Sequence, residues 1–386
     1  MHNQTKGVDY LWLVFFLIVF INGFEAGGYQ ASLWNIGQTY DLSTSLMGLF
    51  ASVELFATML APLLLGAWAD RNNKIRCLKI LLCVQTVAAV LALASGIEAV
   101  FLTGVFFLGM TTSALQFIAI AALADSYPVS HKKKIGFMTS MYAFGAFISP
   151  LIVSFYLNLG MGWRTLFALL VIGSVIAFLG LQRYGQGTLE VGTGEQEETG
   201  TGSFILVGVL LLCVIMCIYV GFENGFAFFV DTMFTDVFKV STGKFALSLF
   251  WMVMIPSRMM VGKYAHKAET ILLASVAAIP LITFLISLLN NSTAVMILCI
   301  PLGIASGAIY PSVLTILMPF AGSHKAAATG MITTATGIGG VVFTALTGFV
   351  GDHYGMRTAM AVLAACFLLS LAAVFALRKM REKLPQ

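Results

Sequence analysis

Three glutamates, Glu25, Glu54 and Glu223, stand inside long apolar stretches of this sequence. A charged side chain at the centre of a membrane helix costs about 2.5 to 3.5 kcal/mol, so acids at such positions are usually functional. The sequence shows no Lys or Arg near the middle of an apolar stretch, so we expect these carboxylates to lack a cationic partner. A carboxylate in that situation can bind a proton and release it when water returns. The alternative is that each stays protonated and only hydrogen-bonds a neighbouring helix.

Two of these glutamates lie in related pentapeptides. The sequence GFEAG at 23–27 recurs as GFENG at 221–225, and GWRT at 162–165 recurs as GMRT at 355–358. In both cases the copies lie about half the chain length apart. Such repetition is typical of transporters that are built from two related halves. We therefore expect Glu25 and Glu223 to face each other across a central cavity.

Uncharged polar residues in the same stretches could hydrogen-bond a polar solute. Helical spacing places Asn22 and Tyr29 on the face of Glu25, and Tyr219 on the face of Glu223. The full predicted solute-binding set is Asn22, Tyr29, Thr112, Gln116, Tyr219, Asn224, Ser306 and Tyr310. Hydrogen bonds between helices would explain these residues equally well.

The composition determines which elements position these residues. Of the 386 residues, 59% are hydrophobic and only 10% are charged, which excludes an ordinary soluble enzyme. Twelve membrane helices of about 20 residues each would use this supply of apolar residues. The predicted spans are 10–35, 44–67, 77–97, 100–124, 135–157, 164–183, 204–232, 243–264, 271–289, 294–318, 327–350 and 357–377.

The order of the spans predicts two bundles of six helices. Residues 184–203 are rich in Gly, Thr and Glu and have no apolar periodicity, so they indicate a flexible linker. The predicted domains are therefore an N-terminal bundle over 1–183, this linker, and a C-terminal bundle over 204–386. The fold class is an all-α polytopic membrane protein with two pseudo-symmetric halves.

The distribution of positive charge predicts the orientation. With the N-terminus inside, all of the 21 Lys and Arg residues fall on the cytoplasmic side except Arg164, Lys239, Lys244 and Arg357. Cytoplasmic loops attract Lys and Arg, so both termini and the linker are expected in the cytoplasm. A plasma membrane, or a bacterial inner membrane, is the expected location.

Other classes of protein find no support in the sequence. No polar segment contains a nucleotide-binding loop, and no hydrolytic or redox constellation is visible, so neither an enzyme nor direct ATP-driven transport is expected. The six cysteines form no CxxC pair and the five histidines are scattered, so we expect no metal and no cofactor. The expected partners are a small-molecule solute, protons and membrane lipid, with no nucleic acid, and the protein is expected to be a monomer.

The loop after the second span carries a more specific pattern. Residues 66–76 read GAWADRNNKIR, and residues 258–267, after the eighth span, read RMMVGKYAHK. The first segment resembles the loop signature G-x-L-A-D-R-x-G-R-K of the major facilitator superfamily, with Asn73 at the second glycine. The second resembles a degenerate copy, in which His266 replaces the acidic residue. Within the superfamily, YVGFE at 219–223 and IYP at 309–311 look like the fucose permease group of sugar:proton symporters.

The resemblance implies a mechanism. Two six-helix bundles would rock about a central site lined by spans 1, 4, 7 and 10 and expose it alternately to each side of the membrane. Asp70 would engage the cytoplasmic end of span 11, where the helix dipole favours negative charge. Asp125 would pair with Arg71 or Arg76, or remain a solvated surface acid. The gating set that the resemblance implies is Gly66, Asp70, Arg71, Lys74, Asp125 and Arg258.

Together these features predict a proton-coupled secondary transporter that moves a small polar, neutral or cationic organic solute by alternating access. An anion would need a positive partner to leave water, and the predicted cavity supplies only acids. An exporter that exchanges drugs or lipophilic cations for protons is the first alternative. It would normally have an Arg in span 4 and a Gly-Pro pair in span 5, and neither is present. A receptor or scaffold is the second alternative, although it would have no need of buried acids.

Overall fold

The structure is a computed structural model, which describes residues 4–127, 131–185, 204–322 and 324–381. Within these residues the chain forms twelve α-helices, and a short 3-10 turn at Ala265–Lys267 joins α8 to α9. The helices are α1 (Gln4–Tyr40), α2 (Thr44–Arg71), α3 (Lys74–Ala94), α4 (Glu98–Ser126), α5 (His131–Asn158), α6 (Thr165–Tyr184), α7 (Leu206–Asp236), α8 (Gly243–Lys263), α9 (Ala268–Leu288), α10 (Ser292–Ala321), α11 (Lys325–Tyr354) and α12 (Met356–Arg381).

All twelve helices are long and apolar enough to cross a membrane. Large apolar side chains also stand on the outer surface, including Leu281, which is 71% exposed, and Leu63, which is 66% exposed. In water such exposure would oppose folding, whereas hydrocarbon removes the penalty. The prediction of twelve membrane helices is confirmed. Several helices, such as α1 and α11, extend beyond the predicted apolar spans because their polar ends continue the same hydrogen-bonding pattern.

Local sequence explains where several helices begin and end. The side chain of Asn73 accepts a hydrogen bond from the Arg76 backbone N–H at 3.1 Å and so caps the start of α3. Asn73, which replaces the second glycine of the family signature, therefore serves as the N-cap of α3. Asn291 caps α10 in the same way, and Gly355, with φ of +85°, allows the turn between α11 and α12.

The structure divides into two compact units. One contains the chain up to Ile36 and from Val53 through α6, and the other contains Gly37–Ser52 and helices α7 to α12. In the first unit α3 packs on α4 and α6. In the second, α7 packs on α11 and α12, and α10 packs on α8 and α9. The predicted linker lies outside the described residues from 186 to 203, and the predicted domain boundaries stay a prediction.

The segment Gly37–Ser52 belongs to the second unit through its contacts with α11. The Ser45 hydroxyl donates to the Asp352 carboxylate at 2.7 Å, and the Ser52 hydroxyl donates to the Val341 carbonyl at 2.9 Å. Between these two contacts the backbones of Gly48 and Gly348 approach so closely that a Cβ on either residue would lie about 3 Å from the other. The start of α2 is thus held to α11 over about two helical turns of α2.

The repeated arginines make corresponding contacts in the two units. Arg164, just before α6, donates to the Ser95 carbonyl in the α3–α4 connection at 2.7 Å. Arg357, at the start of α12, donates to the Asn290 side chain in the α9–α10 connection at 2.6 Å. Each arginine therefore ties the sixth helix of its half to the loop between the third and fourth helices.

The glycines around the repeated glutamates also have corresponding neighbours. A Cβ on Gly23 would collide with the Tyr142 carbonyl of α5, and a Cβ on Gly221 would lie 2.6 Å from the ring of Phe343 on α11. Within each unit, the helix that carries the glutamate is thus pressed against the fifth helix of that half. This close packing fixes the helix segments on which Glu25 and Glu223 stand.

Candidate functional site

The first unit holds an acidic cluster, which we define as Glu25, Glu54, Tyr29, Asn22 and Thr112. Glu25 on α1 is 1% exposed and accepts a hydrogen bond from the Thr112 hydroxyl of α4 at 3.3 Å. Asn22, one turn earlier on α1, donates to the Thr112 backbone carbonyl at 2.9 Å. Thr112 therefore joins α1 to α4 through both its side chain and its backbone.

A chain of side-chain hydrogen bonds connects this cluster to α3 and α6. The side-chain amide of Gln85 on α3 donates to the Asn22 side-chain oxygen Oδ1 at 3.4 Å. The Ser174 hydroxyl of α6 donates to the Gln85 side-chain oxygen Oε1 at 3.0 Å. All of these groups are buried, and buried polar groups that are fully paired fix the orientation of their neighbours. The sequence analysis missed Gln85 and Ser174, although polar residues within apolar stretches were the available signal.

Glu54 on α2 belongs to the same cluster. It is buried and lies within electrostatic reach of Glu25, and Tyr29 lies within reach of both carboxylates. A Cβ on Gly109 would collide with the Glu54 carbonyl, so α4 passes directly against α2 at this depth. The structure thus brings the predicted residues Glu25, Glu54 and Tyr29 together.

The acidic cluster has no basic counterpart in the part of the chain that the structure describes. None of the ion pairs found there involves Glu25 or Glu54. Two like charges in a low-dielectric interior repel each other, so the pair favours a state with less negative charge.

The second unit differs, because its glutamate does have a cationic partner. The Tyr219 hydroxyl donates to Glu223 Oε1 at 2.8 Å, and the Arg258 guanidinium lies 3.5 Å from the same oxygen. The expectation that all three glutamates lack a base is therefore wrong for Glu223. We call Tyr219, Glu223, Arg258 and Tyr310 the paired cluster.

Arg258 was expected at a gate after the eighth span, but it lies within α8, five residues before Lys263. At this position its side chain turns inward to the carboxylate on α7 rather than outward to a loop. Tyr310 of α10 lies within electrostatic reach of Arg258 and is 41% exposed, so an open face adjoins the ion pair. Residue 258 also falls within the predicted eighth span, 243–264, and its gating role stays a prediction.

The other predicted solute-binding residues lie in more varied surroundings. Asn224 donates to the Val220 carbonyl of its own helix at 2.9 Å, and Gln116 is half-buried on α4. Ser306 is fully buried, and its hydroxyl has no partner among the described residues. Because Ser306 is buried and Tyr310 is exposed, these two residues do not share one open face. Their roles in binding stay predictions.

A second ion pair in the same unit was missed altogether. Asp231 on α7 is 1% exposed, and its Oδ2 accepts from the Lys244 ammonium of α8 at 2.5 Å. Lys244 is itself buried, although the sequence analysis treated it only as a charge outside the membrane. The available signal was an aspartate within the seventh apolar stretch. The pair joins α7 to α8.

The gating motif lies at the junction of α2 and α3. Asp70 and Arg71 are exposed at the last turn of α2, as a gate at a membrane surface requires. Asp125, at the end of α4, pairs with Lys74 at 2.5 Å. The expected partners Arg71 and Arg76 are therefore wrong, because the first residue of α3 is nearer to the end of α4. Gly66 has open space beside it, and the gating roles stay predictions.

The comparison with protein families assigns the chain to one family. The model of the Major Facilitator Superfamily matches residues 15–344, which is most of the sequence. The chain therefore belongs to the Major Facilitator Superfamily, and it is a multi-pass secondary transporter rather than an enzyme. No protein of curated function matches the sequence. The narrower resemblance to the fucose permease group is not confirmed.

Solved structures with the same fold agree with this assignment. A bacterial homolog of the human lysosomal transporter Spinster matches with a TM-score of 0.78 and 15% identity, over 98% of each chain. A mutant form of the nucleoside transporter NupG matches with a TM-score of 0.77 and 14% identity, over 95% of this chain and 99% of that one. A D-xylose-proton symporter matches with a TM-score of 0.77 and 14% identity, over 96% and 97%. At such identities the likeness shows the fold alone.

Proposed function

We propose that the protein couples the movement of protons to that of a small polar, neutral or cationic organic solute. The observation that carries this proposal is the acidic cluster, in which Glu25 and Glu54 are buried together without a basic partner among the described residues. A group of this kind binds a proton when it is closed off from water and releases it when water reaches it. Coupling follows if the two states belong to opposite sides of the membrane.

The paired cluster supports binding of the solute in the second unit. Tyr219, Glu223, Arg258 and Tyr310 present hydroxyl, carboxylate and guanidinium groups within one region. An anionic solute was disfavoured because the predicted cavity supplied only acids. Arg258 weakens this reasoning, because it is a base. Its charge is nevertheless matched by Glu223 within the second unit. The buried ionisable groups therefore still favour a neutral or cationic solute.

Membership of the family supports alternating access, and the charge distribution supports an orientation with both termini in the cytoplasm. In this orientation a proton gradient directed inward would drive uptake by symport. The D-xylose-proton symporter, whose structure has the same fold, supports this proposal. Exchange of a lipophilic cation for protons is the second candidate, because an acidic cluster without a base would also attract an organic cation.

The test is transport by the purified protein in proteoliposomes with an imposed pH gradient. Labelled sugars, nucleosides, amines and amphiphilic cations are offered one at a time, and a dye inside the vesicles reports proton movement. We expect one solute class to accumulate above its equilibrium level only when the gradient is present. Proton movement with the solute assigns symport, and movement against it assigns exchange. Accumulation that persists after an ionophore has abolished the proton gradient would contradict the proposal.

A further inference from the structure

An apolar groove of about 570 Å³ runs between α8, α9 and α10 in the second unit. Small side chains form much of its wall, namely Ala274 and Ala278 on α9 and Ala305 and Ala308 on α10. Cavities of about 300 to 1,000 Å³ are large enough to hold organic ligands. The groove exists because these positions carry methyl groups where larger residues would close the gap between the helices.

The back of the groove is rigid. The Ser257 hydroxyl of α8 donates to the Ile304 carbonyl of α10 at 2.5 Å. A Cβ on Gly307 would lie 2.7 Å from the Met254 carbonyl, so α8 and α10 are in close backbone contact there. The side chain of Ile304 is half exposed beside the groove. The groove is therefore a built feature of packed helices.

A polar pocket of about 270 Å³ adjoins one end of the groove. His266, Lys267, Thr270, Thr315 and Arg381 line this pocket, and Lys267 also lines the groove. Glu269 is a further lining residue, and it is ion-paired with Arg381. Lys267 forms no ion pair with any residue that the structure describes. The excess positive charge therefore lies where the two cavities meet.

The location matches a membrane surface. The polar pocket is formed by the connection between α8 and α9, the end of α10 and the last residue of α12, whereas the groove extends along the apolar parts of three membrane helices. One end is thus suited to a headgroup and the other to hydrocarbon. Basic pockets between membrane helices at the cytoplasmic side are a recurrent means of binding anionic lipid headgroups.

We propose that this site binds one anionic phospholipid, with its phosphate at Lys267 and an acyl chain in the groove of α8, α9 and α10. The lipid fills the space between the helices and neutralises the unpaired lysine. It also connects α8, which carries Arg258, to α9. The proposal concerns a resident lipid and does not depend on the identity of the transported solute.

The test is native mass spectrometry of the full-length protein in a mild detergent, with phosphatidylglycerol or phosphatidylcholine of identical acyl chains added. We expect one phosphatidylglycerol to remain bound under conditions that remove phosphatidylcholine. Lys267→Gln should weaken retention about five-fold, which is about 1 kcal/mol for one basic residue at an anionic headgroup. Lys79→Gln on α3, which removes a lysine elsewhere in the chain, is the matched control and should retain the lipid like the wild type.

A second variant tests the groove itself. Ile304→Trp should occupy the groove and reduce lipid retention without removing any charge, and Ala278→Leu serves in its place if the tryptophan variant does not fold. Equal retention of the two lipids by the wild type would overturn the proposal, as would unchanged phosphatidylglycerol retention in both Lys267→Gln and the groove variant. A dimer that is present in the wild type and lost with Ile304→Trp would assign the groove to a second copy of the chain and would also overturn it.

Discussion

Arg258 Nη2 lies 3.5 Å from Glu223 Oε1, and this ion pair joins α8 to α7. In the first copy of the repeated pentapeptide, Glu25 forms no ion pair with a described residue and accepts a hydrogen bond from Thr112 instead. Two acids that look equivalent in the sequence therefore have different electrostatic surroundings. We accordingly expect the two glutamates to respond differently to substitution.

The ion pair makes the effects of single and double substitutions unequal. Arg258→Gln removes the cation and leaves a buried carboxylate, which should destabilise the protein by about 1 to 3 kcal/mol. Glu223→Gln should cost less, because the Arg258 side chain is 35% exposed and can reach water. Adding Glu223→Gln to Arg258→Gln should therefore restore stability. Thermal unfolding in detergent measures the stability of the two single variants and of the double variant. A loss in the double variant equal to the sum of the two single losses would contradict the pairing.

Glu25 should be needed for coupling and not for folding. Glu25→Gln keeps the shape of the side chain and its contact with Thr112 but cannot exchange a proton. We expect gradient-driven accumulation to fall to the level of empty vesicles, while exchange of solute between equal concentrations continues. Glu98→Gln, at the exposed start of α4, is the control and should accumulate solute normally. Full accumulation by Glu25→Gln would exclude this residue as the coupling site.

The Asp231–Lys244 pair should be important for stability. Both partners are buried, and removal of one partner of a buried pair typically costs about 3 to 5 kcal/mol. Lys244→Gln should therefore lower the unfolding temperature sharply, and Asp231→Asn in the same chain should recover part of the loss. Lys239→Gln, five residues earlier and exposed, should have almost no effect. Comparable effects of the two lysine variants would show that the pair is not buried in the membrane-embedded protein.

Two glycines of α11 provide a test of helix packing. A Cβ on Gly339 would collide with the Cys217 carbonyl of α7, whereas a Cβ on Gly330 meets nothing within 4 Å. Gly339→Ala should destabilise the protein by about 1 to 3 kcal/mol through overpacking. Gly330→Ala should be neutral, or stabilising by up to about 1 kcal/mol, because alanine favours the helix. Unfolding measurements should thus show a loss of stability for Gly339→Ala and none for Gly330→Ala, and equal losses would argue against the α7–α11 contact.

Asp70 should control access from the cytoplasm. The resemblance to the family signature implies a gating role for Asp70 on the cytoplasmic side, so we expect Asp70→Asn to favour the inward-open state. In a background without native cysteines, a single cysteine near the cytoplasmic mouth should then react faster with a water-soluble maleimide. An unchanged labelling rate would exclude Asp70 from the gate.

The sequence was sufficient for the helices but not for the pairing of charges. Twelve spans follow from hydropathy alone, because a helix must satisfy its own backbone hydrogen bonds in hydrocarbon. The closeness of Glu25, Glu54 and Thr112 depends on how α1, α2 and α4 cross, which periodicity does not specify. The pairing of Arg258 was missed for the same reason, since its partner Glu223 lies on another helix, 35 residues away. Gln85 and Ser174 were missed because a polar residue within an apolar stretch does not indicate its partner.

The contacts of Glu223 leave its two oxygens unequal. Tyr219 and Arg258 both contact Oε1, so neither of these contacts occupies Oε2. In the solute-binding role proposed for this cluster, a solute hydroxyl or ammonium would hydrogen-bond Oε2 while the arginine stays on Oε1. In that role, occupation of the carboxylate by cargo and departure of the guanidinium would be two separate events.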